Sequence, residues 1–495
     1  MTKRIIAVDI GASSGKMAYG IFDGDKLSVV KYRDFINRPV DIGTALYWDV
    51  FGLYHSIIDG MSYFCEEYGE ADTLAIDTWG ASYGLLDRKG RLLEPVYHYR
   101  DIRTDNILAD MEQIVDFREL FALTGCQCNA TYTLPQLYSY IREKSNVLQN
   151  AEHMLLLPDL LGYFLSGEIS SEMTIAGTSC LMENRQEAWS YEVAKRFSIP
   201  FSIYTDIIEP GEFKGTFLKQ VAAETGMRKT RLAAAVSHDS AAAVAAIPDF
   251  GKNALYISVG TNISMGIERD SCLLTEEAYQ RGFKNTGGIN RKKIIYRDFS
   301  AGWHLNEFMR TKRGQGIIYT HPDLIGLALD ERKGVHSLFD VEAKAFNEAG
   351  GDFCEKMNRY FEKTGQRQPD SDGEFVCSII ESIALKAAHY ARAFEEIGEI
   401  FEKVYVINGG SRNQVLMQAL SNALDKEIMA GMSYATLYGN LLTQLYALGE
   451  VKDVKEMREL SCRSFEMERY EPKEQGYWQE ARERYQKVLE IQKNL

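Results

Sequence analysis

The chain has 495 residues, which at about 100 to 200 residues per domain predicts two or three domains and excludes a single small module. Hydrophobic residues make up 45% of it, charged residues 25%, and only 10 residues are proline, so the composition is globular and excludes disordered or collagen-like chains. The 56 basic and 70 acidic side chains give a net charge of −14, which disfavours nucleic acids and anionic membranes as partners.

The chain carries no sequence signal for export or for a metal cluster of cysteines. Residues 1–6 lack the apolar core of a signal peptide, and no apolar run approaches the roughly 18 residues that a membrane span needs. The 8 cysteines are scattered, and the spacing of Cys126 and Cys128 does not suit zinc. We therefore expect a cytoplasmic protein with reduced thiols.

The first predicted element is a strand over residues 4–9, followed by a glycine turn and a returning strand over 16–22. Asp9 ends the first strand, and Gly11 to Lys16 contain hydroxyls and backbone N–H groups that suit a metal-bound phosphate. The spacing fits neither a P-loop nor the dinucleotide fingerprint. A plain hairpin that uses glycine for its backbone freedom is an equally good interpretation of this segment alone.

Further along, residues 73–76 predict a strand that leads into Asp77 and Gly80, and residues 106–120 have the apolar spacing of a helix. Residues 241–246 predict a helix with Asp239 near its N-terminus. Asp239 is therefore a candidate general base for an attacking hydroxyl, although helix capping by Ser237 or Asp239 explains the same pattern.

The hairpin pattern recurs in residues 254–267, where a strand leads through Gly260-Thr261 into a second strand. Breaker residues at 248–252 predict the domain boundary there, which gives domains 1–247 and 248–495. Residues 403–407 predict a strand that runs through Gly409-Gly410 into a helix. The apolar stripe from Trp478 to Leu489 predicts a C-terminal docking helix. The overall signature is mixed α/β.

Taken together, these segments resemble the FGGY carbohydrate kinases of the actin-like ATPase superfamily, and within that family the rhamnulokinases. The similarity extends from Ala7 to about Asp453, and its pieces keep their order and spacing. They are residues 8–15, 76–80, 85–87, 99–104, 237–240, 260–261 and 409–413. The resemblance implies two ribonuclease-H-like domains with an active-site cleft between them, the N-terminal one on the sugar and magnesium side and the C-terminal one on the nucleotide side.

The resemblance also implies a reaction and a set of site residues. The reaction is the transfer of a phosphoryl group from ATP, with Mg²⁺, to the 1-hydroxyl of a 6-deoxy-ketohexose, in the first place L-rhamnulose, in L-rhamnose catabolism. The implied residues, by role, are Asp239 as general base; Asp9 and Asp239 at the metal; Ala12, Ser13, Ser14, Gly15, Lys16, Thr261, Asn306 and Gly409 at the nucleotide; and Gly80, His238, Asp239, Ser240 and Asp298 at the sugar.

Four positions depart from the family pattern. Lys16 replaces an arginine, Asp298 a sugar-contacting asparagine, Asn306 a glutamine and Tyr434 a glutamate, whereas Gly439-Asn440 is retained. L-fuculose or another ketose or polyol is therefore an alternative substrate, since one polar change can redirect a sugar kinase. Functions of other classes are a non-catalytic sugar or nucleotide sensor and a chaperone-like ATPase. The expected partners are small molecules alone, and the expected state is a monomer or homodimer.

Overall fold

The structure is a computed structural model and describes residues 2–251, 253–331, 334–348 and 350–493. The chain forms two compact units. One contains Met1–Phe250, Glu268–Ile295 and Ala435–Phe465, and the other contains Gly251–Ile267, Tyr296–Tyr434 and Glu466–Leu495. The predicted boundary segment 248–252 spans the point where the first of these segments ends, and its Lys252 lies outside the described residues. The assignment of functions to 1–247 and 248–495 stays a prediction.

Strands and helices alternate along most of the described residues. In chain order, the strands are β1 Lys3–Ile10, β2 Ser14–Phe22, β3 Leu27–Ile36, β4 Pro39–Asp41, β5 Leu46–Trp48, β6 Thr73–Thr78, β7 Tyr83–Leu86, β8 His153–Leu156, β9 Ser171–Glu172, β10 Met182–Glu183, β11 Ala188–Trp189, β12 Ile207–Ile208, β13 Phe213–Thr216, β14 Arg231–Ala233, β15 Ala254–Val259, β16 Ile263–Arg269, β17 Lys284–Gly287, β18 Lys293–Phe299, β19 Lys403–Ile407, β20 Ile428–Gly431 and β21 Met467–Tyr470. The α-helices are α1 Val50–Tyr68, α2 Ile107–Glu112, α3 Phe117–Thr124, α4 Thr133–Arg142, α5 Val147–Asn150, α6 Leu157–Ser166, α7 Met173–Ala176, α8 Tyr191–Arg196, α9 Lys219–Thr225, α10 Asp239–Ala245, α11 Glu276–Gln280, α12 His304–Gly314, α13 His321–Asp330, α14 Lys344–Asn347, α15 Phe353–Lys363, α16 Asp372–Glu396, α17 Gln414–Leu424, α18 Ala435–Ala447, α19 Val454–Ser464 and α20 Gln475–Gln492. Short 3₁₀ turns span Ile102–Thr104, Phe201–Ile203, Ile289–Arg291 and Gly409–Arg412.

The first unit is built on a sheet with the strand order β13–β14–β6–β1–β2–β3. β1 pairs in parallel with β6, β6 pairs in parallel with β14, and β2 returns antiparallel to β1. Side chains alternate between the two faces of β1, so Ile6 and Val8 share a core cluster with residues of α1 and α6. The predicted strand, glycine turn and returning strand at residues 4–22 are confirmed.

The opposite face of this sheet is covered through small residues. Ala7 of β1 and Ala75 of β6 are fully buried, and α18 packs against both strands. Gly439 of α18 approaches α10 so closely that an added Cβ would overlap the carbonyl oxygen of Ala242. Because every second residue of a strand shares a face, Asp9 and Asp77 follow Ala7 and Ala75 on this side of the sheet.

The second unit repeats the same local plan. β15 pairs antiparallel with β16 and parallel with β19, and β19 pairs parallel with β20. The recurrence of the hairpin pattern in the sequence is thereby confirmed in the structure. α20 packs against α16 and α17 through buried Trp478, Ala481 and Tyr485, so the predicted docking helix is also present.

One predicted helix differs from the observed structure. Residues 106–120 contain the whole of α2, a break, and the first residues of α3, rather than a single helix. Asp116 accepts a hydrogen bond from the N–H of Arg118 and so starts a new helix. The eight cysteines, all at described positions, are free thiols. Across the described residues, no helix combines the length and the apolar character needed to cross a membrane.

Candidate active site

Three aspartates lie at one edge of the sheet in the first unit. Asp9 and Asp77 stand opposite each other in the parallel pair β1–β6. Thr78, the next residue of β6, donates its N–H to the carbonyl oxygen of Ser237 at 2.9 Å, so the segment that carries Asp239 continues alongside β6. The carboxyl ends of parallel strands meet at one edge, which is where α/β proteins bind their ligands.

Burial and the charges of neighbouring carboxylates raise the pKa values of Asp9 and Asp77. Burial and the charge of Asp239 raise the pKa of Asp9 to about 7. Burial and the charge of Asp9 raise the pKa of Asp77 well above its usual range, while Asn440 opposes this rise by donating to Asp77 Oδ2 at 2.6 Å. Carboxylates that share a small volume repel each other's negative charge, so a bound cation would relieve the repulsion.

The donor to Asp77 belongs to a chain of buried amides on α18. Asn440 Oδ1 accepts from Gln444 Nε2 at 2.7 Å. Gln444 also donates to the carbonyl oxygen of Ile6 at 2.9 Å and accepts from Thr73 Oγ1 at 2.8 Å. Because both ends of each amide are bonded, neither side chain can flip without losing hydrogen bonds, and Asn440 presents only donors to Asp77.

Sequence motifs alone assigned no role to Asp77, Asn440 or Gln444. The retained Gly439-Asn440 pair was the available signal, but the sequence separation of 363 between Asp77 and Asn440 hides their contact from any local pattern. Their proximity becomes visible only when α18 is placed on the sheet.

The fit of these residues to Mg²⁺ follows from their chemistry. Within the described ranges, no group of three or more His, Cys, Asp or Glu side chains is arranged to hold a metal ion. Mg²⁺ is, however, usually held by one or two carboxylates together with substrate phosphates and water rather than by an all-protein cage. Asp9 and Asp239 offer the carboxylate oxygens that such an arrangement requires.

The predicted residues His238, Asp239 and Ser240 lie at the beginning of α10. Asp239 is the first residue of the helix, and neither Ser237 nor Asp239 caps it, because α10, which is described throughout, has no side-chain cap. Asp239 Oδ1 accepts from the N–H of Ser240 at 2.5 Å and lies 3.5 Å from His238 Nε2. The capping alternative is therefore not observed, and the Asp239 carboxylate is about one-third exposed.

The predicted phosphate segment forms the turn between β1 and β2. The Gly11 N–H donates to the Ser14 carbonyl oxygen at 2.9 Å, and Ala12, Ser13 and Ser14 are exposed. Gly15 is buried under Phe35, whose ring occupies the position of any added Cβ. The glycine at this position is therefore required by packing.

Lys16, which follows Gly15, carries the one positive charge of this segment. It pairs with Asp34 on the neighbouring strand β3 and lies 5.8 Å from the ring centroid of Tyr32. Its charge also lowers the pKa of Asp9. Lys16 is thus held at the acidic edge of the sheet, on the strand that pairs with β1.

The predicted sugar residue Gly80 lies beside an aromatic cluster. An added Cβ at Gly80 would lie 2.6 Å from Thr178 Oγ1, so only glycine fits. The neighbouring Trp79 ring lies 4.3 Å from that of Trp48. Burial raises the pKa of Tyr99; the charge of Arg100 opposes this rise and the charge of Asp239 adds to it.

A buried carboxylate, that of Glu172, connects two segments on this side of the site by hydrogen bonds. Glu172 accepts hydrogen bonds from the Thr174 N–H and hydroxyl at 2.9 and 2.6 Å and from the Ser237 N–H at 3.2 Å. The backbone N–H of His238 in turn donates to the Thr174 hydroxyl oxygen at 3.3 Å. Burial raises the pKa of Glu172 to about 7, although these donors oppose the rise. No sequence motif had pointed to this residue.

The predicted nucleotide residues Thr261, Asn306 and Gly409 lie in the second unit. Gly260-Thr261 follows β15 and Gly409 follows β19, so the parallel pairing of these strands brings both turns to one edge. An added Cβ at Gly302, just before α12, would overlap the Gly260 carbonyl oxygen, which places the beginning of the helix that carries Asn306 against the first turn. Thr261, Asn306 and Gly409 are all exposed.

The departures Asp298 and Tyr434 also lie in the second unit. Asp298 is half-buried near the end of β18. Burial and, to a smaller extent, the charge of Asp298 raise the pKa of Tyr256 on β15. The Arg412 guanidinium lies over the Tyr434 ring, 5.1 Å from the centroid of that ring. The contact of Asp298 with a sugar stays a prediction, since Gly80, His238 and Ser240 belong to the other unit.

Comparison with known proteins decides the family. The N-terminal domain of the FGGY family of carbohydrate kinases matches residues 4–246, and the C-terminal domain of that family matches residues 343–448. The chain belongs to the FGGY family of carbohydrate kinases. It is therefore a phosphotransferase that acts on an alcohol group of a carbohydrate, and the resemblance noted from the sequence is confirmed.

Individual relatives cover nearly the whole chain. A rhamnulokinase from Bacteroides thetaiotaomicron is 32% identical over 97% of this chain and 98% of its own length. A rhamnulokinase from Halalkalibacterium halodurans is 30% identical over 94% of this chain and 98% of its own.

Solved structures with lower identity show the fold. A gluconate kinase from Lactobacillus acidophilus superimposes with a TM-score of 0.85 at 13% identity, covering 100% of this chain and 98% of its own. A Plasmodium falciparum glycerol kinase with ADP superimposes with a TM-score of 0.81 at 14% identity, covering 98% and 97%. The predicted mixed α/β class with two sheet-containing units is confirmed.

Proposed function

We propose that this carbohydrate kinase transfers a phosphoryl group from ATP to the 1-hydroxyl of L-rhamnulose. The observation that carries the proposal is the full-length similarity, at about 30% identity, to rhamnulokinases. The acidic edge of the first unit supports it, because phosphoryl transfer needs positioning and charge stabilisation more than covalent chemistry. L-Fuculose is the nearest competing substrate, since it differs from L-rhamnulose only in stereochemistry and Asp298 departs from the rhamnulokinase pattern.

In this proposal Asp239 is the general base that accepts the proton of the sugar hydroxyl. Asp239 is the first residue of α10, and its carboxylate is about one-third exposed, so a sugar hydroxyl could reach it. A carboxylate positioned at the hydroxyl suffices because phosphoryl transfer passes through a loose transition state and depends mainly on positioning. His238, Ser240 and Gly80 would bind the sugar beside it, and Asp298 would tune which ketose is accepted.

The nucleotide would be held by the three glycine turns and by Lys16. The Ala12 to Gly15 backbone and the Lys16 charge would bind its phosphates, Thr261 and Asn306 would contact its phosphate side, and Gly409 would lie against adenosine. Asp9 and Asp239 would hold Mg²⁺, which neutralises phosphate charge when bound.

A panel of ketoses assayed by ADP release tests the substrate. We expect L-rhamnulose to be phosphorylated with the highest kcat/KM, and a pentulose that turns over while L-rhamnulose and L-fuculose both fail at millimolar concentration would refute the assignment. The absence of turnover with every sugar, together with retained binding, would favour a non-catalytic sensor.

Asp239→Asn tests the general base. We expect kcat to fall by about 10² to 10⁴ while the affinity for ATP, measured by calorimetry on the same preparation, stays nearly the same. Activity within a few-fold of the parent would remove Asp239 from the base role.

A further inference from the structure

The turn that joins β1 to β2 is held from one side by a single buried residue, Asn37. Asn37 follows β3 and is 3% exposed. Its side-chain Nδ2 donates to the Gly11 carbonyl oxygen at 2.9 Å, and its backbone N–H donates to the Ser13 carbonyl oxygen at 3.2 Å. The Ser14 carbonyl oxygen is bonded within the turn by the Gly11 N–H. Three carbonyl oxygens of the turn are therefore fixed.

Fixing these carbonyls also fixes the direction of neighbouring N–H groups. In a planar trans peptide, the C=O of one residue and the N–H of the next point in opposite directions. Holding the Gly11 carbonyl toward Asn37 therefore turns the Ala12 N–H away from it, and holding the Ser13 carbonyl does the same for the Ser14 N–H. Backbone N–H groups turned outward together form an anion-binding nest, whereas a carbonyl oxygen turned outward would repel phosphate.

The burial of Asn37 is itself costly. Its Oδ1 is buried and has no hydrogen-bond partner among the described residues. An unsatisfied buried polar atom costs about 1–3 kcal/mol, so a buried amide of this kind requires an explanation. The hydrogen bond that the Asn37 side chain donates to the Gly11 carbonyl oxygen supplies one.

We propose that Asn37 is a positioning residue for the nucleotide phosphates. It does not touch the nucleotide, and it acts by orienting the backbone of residues 11–14 so that N–H groups, not carbonyl oxygens, face the phosphate chain. The inference rests on the proposed function, because it assigns the phosphates of ATP to this turn. Its effect should be confined to the phosphate chain and should not extend to adenosine or to the sugar.

Asn37→Ala removes the side-chain donor and keeps the backbone N–H. We expect the variant to bind ADP and ATP at least ten-fold more weakly by calorimetry in Mg²⁺, while adenosine binding, measured by NMR saturation transfer, and sugar binding, measured by tryptophan fluorescence, stay within two-fold of the parent. Ile36→Ala is the matched control, because Ile36 is the preceding residue, is 65% exposed and makes no side-chain hydrogen bond to the turn. It should leave all four affinities unchanged.

The outcomes separate this inference from the proposed function. If the parent binds ADP and Asn37→Ala binds it within two-fold, or if adenosine and sugar binding fall to the same extent as ADP binding, Asn37 has no role specific to phosphate. If the parent binds neither ATP nor ADP, the proposed function fails and this inference fails with it. Should Asn37→Ala not fold, the isosteric Asn37→Asp, which places an oxygen against the Gly11 carbonyl, is measured in the same way and should give the same selective loss.

Discussion

Removing Asn440 should destabilise the first unit through Asp77. Asn440→Ala deletes the donor that lies 2.6 Å from Asp77 Oδ2 and leaves Gln444 Nε2 bonded to the Ile6 carbonyl oxygen alone. A hydrogen bond to a charged group contributes about 1.5–3 kcal/mol, and the buried amide lost with it leaves further groups unpaired. We expect the free energy of unfolding of this unit to fall by about 3 kcal/mol at a pH at which Asp77 is ionised.

The loss of unfolding free energy caused by Asn440→Ala should depend on pH, and the direction of that dependence follows from the pKa of Asp77. The folded-state pKa of Asp77 is already raised above its unfolded value, and loss of the Asn440 donor raises it further. The folded protein then binds more protons than the unfolded chain, so stability falls as the pH rises through the folded pKa. The cost of Asn440→Ala should therefore be largest above the folded-state pKa of Asp77 and shrink as the pH is lowered and Asp77 becomes protonated.

Urea unfolding in a chelating buffer, read by pulsed hydrogen exchange of peptides from β1 and β6, measures this unit separately. In the Asp77→Asn background, Asn440→Ala should cost only about 1 kcal/mol, because the bond it removes is then between neutral groups. Thr443→Val is the control, since it removes a buried hydroxyl on the same helix whose hydrogen bond, among the described residues, is to the Gly439 carbonyl oxygen. An Asn440→Ala cost that is equal in both backgrounds, or independent of pH, would refute the reasoning.

Two further substitutions test the sugar side. Asp298→Asn should change the ratio of kcat/KM between L-rhamnulose and L-fuculose by a factor that corresponds to about 1–3 kcal/mol of activation free energy, the scale of one buried polar mismatch. The KM for ATP should change little. An equal loss of kcat/KM on both sugars would place Asp298 outside the sugar pocket. Gly80→Ala should raise the KM for the sugar about ten-fold or more without changing that for ATP, because the new Cβ would lie 2.6 Å from Thr178 Oγ1 and 2.7 Å from Thr178 Cβ. Thr178→Gly in the same chain removes both atoms and should restore most of the loss. Failure of that rescue would show that Gly80 acts otherwise than through Thr178.

Local patterns predicted the strands and turns well because the physics that sets them is local. Alternation and burial marked β1 and β2, and the same pattern marked β15 and β16. The helix predicted over residues 106–120 was wrong as one element because Asp116 caps a new helix while the apolar spacing continues across the break. Periodicity records which residues are buried, and it is insensitive to a short interruption of the backbone.

The residues of the candidate site could be predicted from the sequence only where a recognisable motif contains them. Asp9 and Asp239 stand beside recognisable turns, whereas Asp77, Asn37 and Glu172 act through hydrogen bonds whose partners are distant in sequence. Glu172, for example, accepts from Ser237, 65 residues away. Such contacts are fixed by how strands and helices pack, and a buried carboxylate or amide looks the same in sequence whether its partner is a turn, a helix or water.

The discontinuity of the first unit has a consequence for how the protein is made. The donor to Asp77 arrives 363 residues later in the chain. At about 5–20 residues per second, the ribosome needs about 20 to 70 s to synthesise that interval. Throughout this time a nascent chain that has already folded β1 and β6 exposes the sheet face that α18 will cover. Its Asp77 carboxylate lacks the hydrogen bond from Asn440. The acidic edge of the N-terminal sheet is therefore among the last parts of the protein to be completed, and a fragment that stops at Phe250 would lack α18, which covers that sheet face.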